Sequence, residues 1–338
     1  MEQEKKSYPA IDCFKFICCI LIIAIHAKPF EQNFWLDSGV GLITRFAVPY
    51  FFVATGFFFF KAKSGQKDGW EYLIRYELRM LRLYLIWYII QNAQSMIRGY
   101  IYSPWYYVRH FVIPNNGSIL WFLPATMSSV FFVYVLSKKL SAKSIFAISI
   151  IVWFSGYIMS TLAPIFAGNA VACEFISSFQ RYVGIQNGLF FGFPYIALAN
   201  LLSAEEHKKW IIRDVVGVIV FFVLLGAESF FVVTRIHPTL TFLWLSALPL
   251  AYFTFNLTLS LELKNKPIFL VMRKLSTLVY VIHPIALSCI KDAIMIAGIN
   301  DLQNLVLFLA TCLVSIGISY FIYRLSQNES LKFFKYLM

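Results

Sequence analysis

Apolar runs of about twenty residues, separated by short polar segments, recur along the whole chain. A helix needs roughly 20 mostly apolar residues to cross the hydrocarbon core of a bilayer. Ten stretches meet that length: 10–28, 39–62, 83–102, 118–137, 144–162, 183–202, 214–233, 239–260, 275–296 and 304–325. The pattern predicts an all-α polytopic membrane helix bundle, a single membrane domain over residues 1–338 with about ten transmembrane helices. Between the fifth and sixth runs, "APIFAGNAVACEFISSFQR" at 163–181 fits either an outer loop or a re-entrant segment.

Composition supports the bilayer over a soluble core. The 338 residues are 59% hydrophobic and 14% charged, against about 25% charged in ordinary soluble domains. The net charge of +12 would suit nucleic acid in a soluble protein, but here the basic residues sit between the apolar runs. With the N-terminus inside, 21 Lys and Arg fall in inner segments. They include Lys5 and Lys6 and the clusters at 61–82, 138–143, 208–213, 264–274 and 324–335. Six lie at outer ends: Lys28, Arg98, Arg109, Arg181, Arg235 and Lys291. The positive-inside rule then places both termini in the cytoplasm. Trp105, Tyr106, Tyr107 and Trp121 fit an interfacial aromatic belt at the outer boundary. The six cysteines show no pairing pattern and no CxxC, so neither a disulfide nor a metal site is expected. The first run carries Lys15 and no small-residue cleavage site, which predicts a retained span rather than a signal peptide. The chain shows no internal repeat of the kind found in inverted-repeat transporters.

Ionisable residues inside spans are costly and point to function by default. The first run, "IDCFKFICCILIIAIHAKPF", holds Asp12, Lys15 and His26. Lys15 and His26 are eleven residues apart, about three helical turns, so they share a face and are separated by roughly 16 Å. Arg45, near the outer end of the second span, and Glu228, in the outer half of the seventh, lie at a depth close to that of His26. His283 falls mid-span in the ninth run, followed by Pro284. Arg75, Arg79 and Arg82 form one basic face leading into the third span. Structural readings stand beside the functional ones. Asp12 and Lys15 can pair at i, i+3, Arg45 and Glu228 can form an ion pair, and His283 can be a packed polar residue. The three arginines can simply obey the positive-inside rule.

Several motifs in order resemble the acyltransferase-3 family of membrane proteins: "KFICCILIIAIH", matching a first-span K/R-x10-H pattern, then "RFAVPYFFVATGFFF", "RMLR", "ILWFLPAT" and "LVYVIHP". The resemblance covers roughly residues 10–325. Within the family, "RFAVPYFF" and "QNGLFFGFP" are similar to the membrane half of vancomycin-resistance serine racemases. No counterpart of their soluble racemase domain is expected in these 338 residues.

The resemblance implies an O-acyltransferase in the plasma membrane. Its donor would be cytoplasmic acyl-CoA, most simply acetyl-CoA, with no permanently bound cofactor. Its acceptor would be a hydroxyl of a cell-envelope glycan or a small molecule. His26 would be the catalytic base, and Lys15, Arg79 and Arg82 would bind the donor. The chemistry needs a base near neutral pH, and a neutral imidazole with an ordinary pKa of about 6.5 suits it. The developing oxyanion needs a positive charge, and Arg45 is at a suitable depth. An orienting carboxylate is expected from Glu228 or, second, from Glu174. Asp12 is too distant along the helix for that part, at roughly 21 Å from His26. The alternative is a transporter of a small amino acid such as serine, to which intramembrane charges and Pro- or Gly-interrupted helices also correspond.

Overall fold

A computed structural model of the protein describes residues 7–114, 118–236, 243–299 and 303–338. Lys5, Lys6 and the first residues of the eighth expected span, 239–242, lie outside the described residues. The described chain is helical without strands. In order the helices are α1 (Pro9–Ala27), α2 (Phe34–Thr44), α3 (Ala47–Lys63), α4 (Gly69–Ile97), α5 (Pro104–Val112), α6 (Phe122–Leu136) and α7 (Ala142–Ser160). They continue as α8 (Ala170–Tyr182), α9 (Phe193–Ala204), α10 (Ile211–Arg235), α11 (Ala247–Ser260), α12 (Pro267–Ile296) and α13 (Asn304–Ser326).

Among the described residues seven stretches are long and apolar enough to cross a membrane: 9–27, 34–63, 119–136, 142–160, 211–235, 267–296 and 304–326. Large apolar side chains point outward from them, among them Ile151 at 71%, Ile212 at 82% and Leu313 at 73% exposure. Such surface is stable against lipid, where the backbone polar groups are satisfied inside each helix. The protein is therefore a multi-pass membrane helix bundle.

Several boundaries differ from the apolar pattern, for local reasons. The third element begins at Gly69 rather than near 83, because Asp68 caps it by accepting the backbone N–H groups of Trp70 and Glu71. Arg75, Arg79 and Arg82 thus lie within the helix instead of before it. The second run is broken. Pro49 has no N–H to give the carbonyl of Arg45, and the chain turns at 45–46 between α2 and α3. The sixth run starts as one π-helical turn at Gly188–Gly192, capped by the Asn187 side chain, before α9. Residues 163–181 hold a short 3-10 turn (Ala163–Phe166) and α8, which has no buried residue.

The chain divides into two compact units. Unit one comprises Met1–Phe51, Lys209–Ile211 and Phe255–Met338, and unit two comprises Phe52–Lys208 and Ile212–Thr254. In unit one, α1 and α13 both pack on α12. Fully buried Thr311, Ser315 and Ser319 recur every four residues along α13, and such small side chains let helices approach closely. In unit two, α6, α7 and α9 pack around the Gly188–Gly192 turn.

Candidate functional site

The site in unit one is a seam between α1 and α12. Three residues of α1 spaced by seven, Asp12, Cys19 and His26, meet α12 in turn. Asp12, 1% exposed, takes a two-pronged contact from Arg273, with Nε to Oδ1 at 2.9 Å and a terminal nitrogen to Oδ2 at 2.6 Å. The Cys19 thiol donates to the carbonyl of Ser276 at 3.1 Å. The His26 and His283 rings stack loosely, centroids 5.4 Å apart and planes inclined by 32°. The partners climb both helices in the same order, so α1 and α12 run parallel. From Asp12 to His26 the seam extends roughly 21 Å.

His283 is fully buried. Its Nδ1 lies 3.2 Å from the carbonyl of Val279. A carbonyl only accepts, so Nδ1 carries the proton and Nε2 keeps its lone pair. That Nε2 is buried without a hydrogen-bond partner. Pro284, next in the chain, removes an N–H from the helical ladder at this level. His26 is half-buried beside it, near the end of α1. The helix closes at Lys28, whose backbone is left-handed (φ 48°) and whose ammonium pairs with Glu31 at 2.5 Å. Glu31 also accepts from Asn304 at the start of α13, at 3.3 Å.

Lys15 flanks the seam. Its ammonium stands 5.7 Å from the centre of the Phe51 ring, a cation–π contact. The i, i+3 pairing of Asp12 with Lys15 gives way to Arg273, whose planar fork matches a carboxylate with two hydrogen bonds. Arg45 is half-buried at the break between α2 and α3, in the same unit. Unit one thus holds Asp12, Lys15, His26, Arg45 and His283, while Arg79, Arg82, Glu174 and Glu228 belong to unit two. There the Arg79 guanidinium sits over the Tyr76 ring at 5.5 Å, and Arg82 is exposed on α4. Glu174 is exposed on α8. Each oxygen of Glu228 receives one backbone N–H, from Leu245 at 2.6 Å and Ser246 at 2.9 Å, just ahead of α11.

Sequence reasoning aligned Lys15 with His26 and missed Arg273 and Ser276. Their signal was the seven-residue spacing of Asp12, Cys19 and His26, opposite a polar series on the ninth span. Among the described residues no group of three His, Cys, Asp or Glu side chains could hold a metal ion.

Two amino-acid racemases of Enterococcus faecalis are each 25% identical to the chain. One match covers 61% of this chain and 29% of the relative, the other 83% and 41%. A serine/alanine racemase of Enterococcus gallinarum is 22% identical, over 65% of this chain and 32% of its own length. The chain thus spans less than half the length of these curated relatives. No solved structure matches it. An acyltransferase domain matches residues 8–324, from before the Asp12 end of the seam to the end of α13, and the chain belongs to the acyltransferase-3 family.

Proposed function

We propose that the protein is a plasma-membrane O-acyltransferase that moves an acyl group, most simply acetyl, from cytoplasmic acyl-CoA to a hydroxyl of a cell-envelope glycan or related acceptor. The observation that carries this reading is the His26–His283 pair, in a chain of an acyltransferase family. In the reaction the His26 lone pair takes the acceptor's hydroxyl proton as that oxygen attacks the thioester carbonyl. The new C–O bond forms, the C–S bond breaks, and the departing thiolate receives the proton from the imidazolium. Arg45 offers a cation to the developing oxyanion. The expected orienting carboxylates, Glu228 and Glu174, are in unit two, and the ring that touches His26 within its own unit is that of His283. In this reading His283 positions His26. Lys15, Arg79 and Arg82 are the donor-side cations, arginine being well suited to phosphate.

Purified protein given labelled acetyl-CoA and a hydroxyl acceptor tests this. The parent is expected to release CoA and transfer label. A folded His26→Ala protein is expected to lose roughly 10²–10⁴-fold in maximal rate, and near-parental transfer would overturn the assignment. His283→Ala is expected to lower the maximal rate while leaving the half-saturating donor concentration unchanged. Arg79→Ala or Arg82→Ala is expected to raise that concentration roughly 10- to 100-fold. A second reading rests on the names of the relatives: a membrane part that carries a small amino acid such as serine. It predicts serine accumulation by proteoliposomes without CoA release.

A further inference from the structure

Away from the α1/α12 seam, unit two gathers two lysines and a buried phenol at the junction of α3, α4 and α6. Lys63 ends α3, and Lys138 follows α6. Their ammonium nitrogens stand 5.0 Å and 4.7 Å from the centre of one ring, that of Tyr134. Lys138 also lies 6.0 Å from the Trp70 ring, which meets Tyr134 edge-on at 5.1 Å. Neither lysine pairs with a carboxylate among the described residues. The nearby acids on the chain are engaged: Asp68 caps α4, and Glu71 receives Arg75 at 3.0 Å.

The ring that draws both cations is itself incompletely satisfied. Tyr134 is fully buried, and its hydroxyl has no hydrogen-bond partner. A Cβ placed on Gly69 would lie 2.9 Å from that hydroxyl and 3.6 Å from Cε of Lys63. The backbone at Gly69 therefore passes tightly against the hydroxyl, near the Lys63 stem, where any side chain would collide. Two like charges held on one ring repel, and a buried hydroxyl without a partner is costly. One ligand answers both: an anion with two negative charges and several acceptor oxygens. A carboxylate offers one charge, whereas a phosphomonoester carries −1.5 to −2 near neutral pH.

We propose that Lys63, Lys138 and the Tyr134 hydroxyl form a phosphomonoester-binding site. The phosphate arrives either on a soluble molecule or as a lipid headgroup. The site stands whether or not the protein transfers acyl groups.

Trp70 supplies a local reporter. Full-length protein in detergent is titrated with inorganic phosphate, with chloride at matched ionic strength as control. The same protein is then mixed with vesicles of phosphatidylcholine containing phosphatidic acid, a monoester, or phosphatidylglycerol, a diester. The signal is the fluorescence change lost in Trp70→Phe. A saturable response to phosphate identifies a soluble source. A response to phosphatidic acid alone, exceeding that to phosphatidylglycerol, identifies a headgroup. Either is expected to weaken at least tenfold in Lys63→Gln/Lys138→Gln and several-fold in Tyr134→Phe, while Lys63→Arg retains it. Helical circular dichroism matching the parent qualifies each variant. No response to either probe, an equal response to chloride, or an undiminished response in the double variant overturns the site.

Discussion

Asp12 is the residue whose environment most constrains a substitution. Its carboxylate is 1% exposed and meets a guanidinium that is 41% exposed. Removing the carboxylate strands Arg273 beside apolar helix surface, but water reaches the guanidinium and screens part of the cost. A fully buried pair loses 3–5 kcal/mol when one partner is removed, while exposed pairs count for about 0–1. Asp12→Ala is therefore expected to destabilise by about 1–3 kcal/mol. Arg273→Met placed on the Asp12→Ala background is expected to recover part of that loss, because the two changes act on one contact. Thermal unfolding in detergent of the two single variants and the double variant measures the coupling. Strict additivity would mean that the pair contributes nothing.

At the scale of elements, the turn at Gly188–Gly192 shows how closely α6 is approached. A Cβ on Gly192 would fall 2.1 Å from Oγ of Ser129 and 2.9 Å from Cε1 of Phe52. The Ser129 hydroxyl is fully buried and already directed at the carbonyls of Ala125 (2.5 Å) and Gly188 (2.9 Å). Gly192→Ala is expected to cost about 1–3 kcal/mol through overpacking, and adding Ser129→Ala is expected to restore part of it. Gly317, inside α13, has nothing within 4 Å of a Cβ, so Gly317→Ala is expected to stay within about 1 kcal/mol of the parent. Melting temperatures of the three proteins would separate the two glycines. These elements also show what a sequence can reveal. Apolar run length depends on solvent, and a bilayer reads it directly, so among the described residues a helix stands within each of the ten runs, seven of them in stretches long and apolar enough to cross. Ends depend on single residues, such as Asp68 and Pro49, and were displaced accordingly. The pairing of Asp12 with Arg273 was hidden because periodicity orients a side chain without naming the helix it faces. His26 and His283 were legible as costly residues in apolar surroundings, but their contact was not.

For the whole molecule the charge bias and the parallel seam bear on orientation. Parallel α1 and α12 require the residues just before Pro9 and just before Pro267 to lie on one side of the membrane. The bias of 21 basic residues against six makes that side cytoplasmic. In a protein with its six cysteines replaced, single cysteines at Lys139, Lys208 and Lys266 are expected to resist an impermeant thiol reagent on intact cells. Cysteines at Glu31 and Ser103 are expected to react. Reversed labelling would invert every depth in the site.

The seam also imposes a timetable on the chain's birth. Asp12 and Arg273 are 261 residues apart in the chain, and synthesis at about 5–20 residues per second separates them by roughly 10–50 s. Through that interval the first helix sits in the membrane with a carboxylate and an imidazole awaiting the ninth apolar run. Everything made in between must insert around an incomplete helix. A ribosome stalled after Ser260 would leave that polar face exposed to lipid and to quality-control proteases, so such a fragment is expected to be cleared faster than one extended through Ile296. Pulse-chase of the two lengths would measure how much of the protein's lifetime hangs on a contact made only after most of the chain is in place.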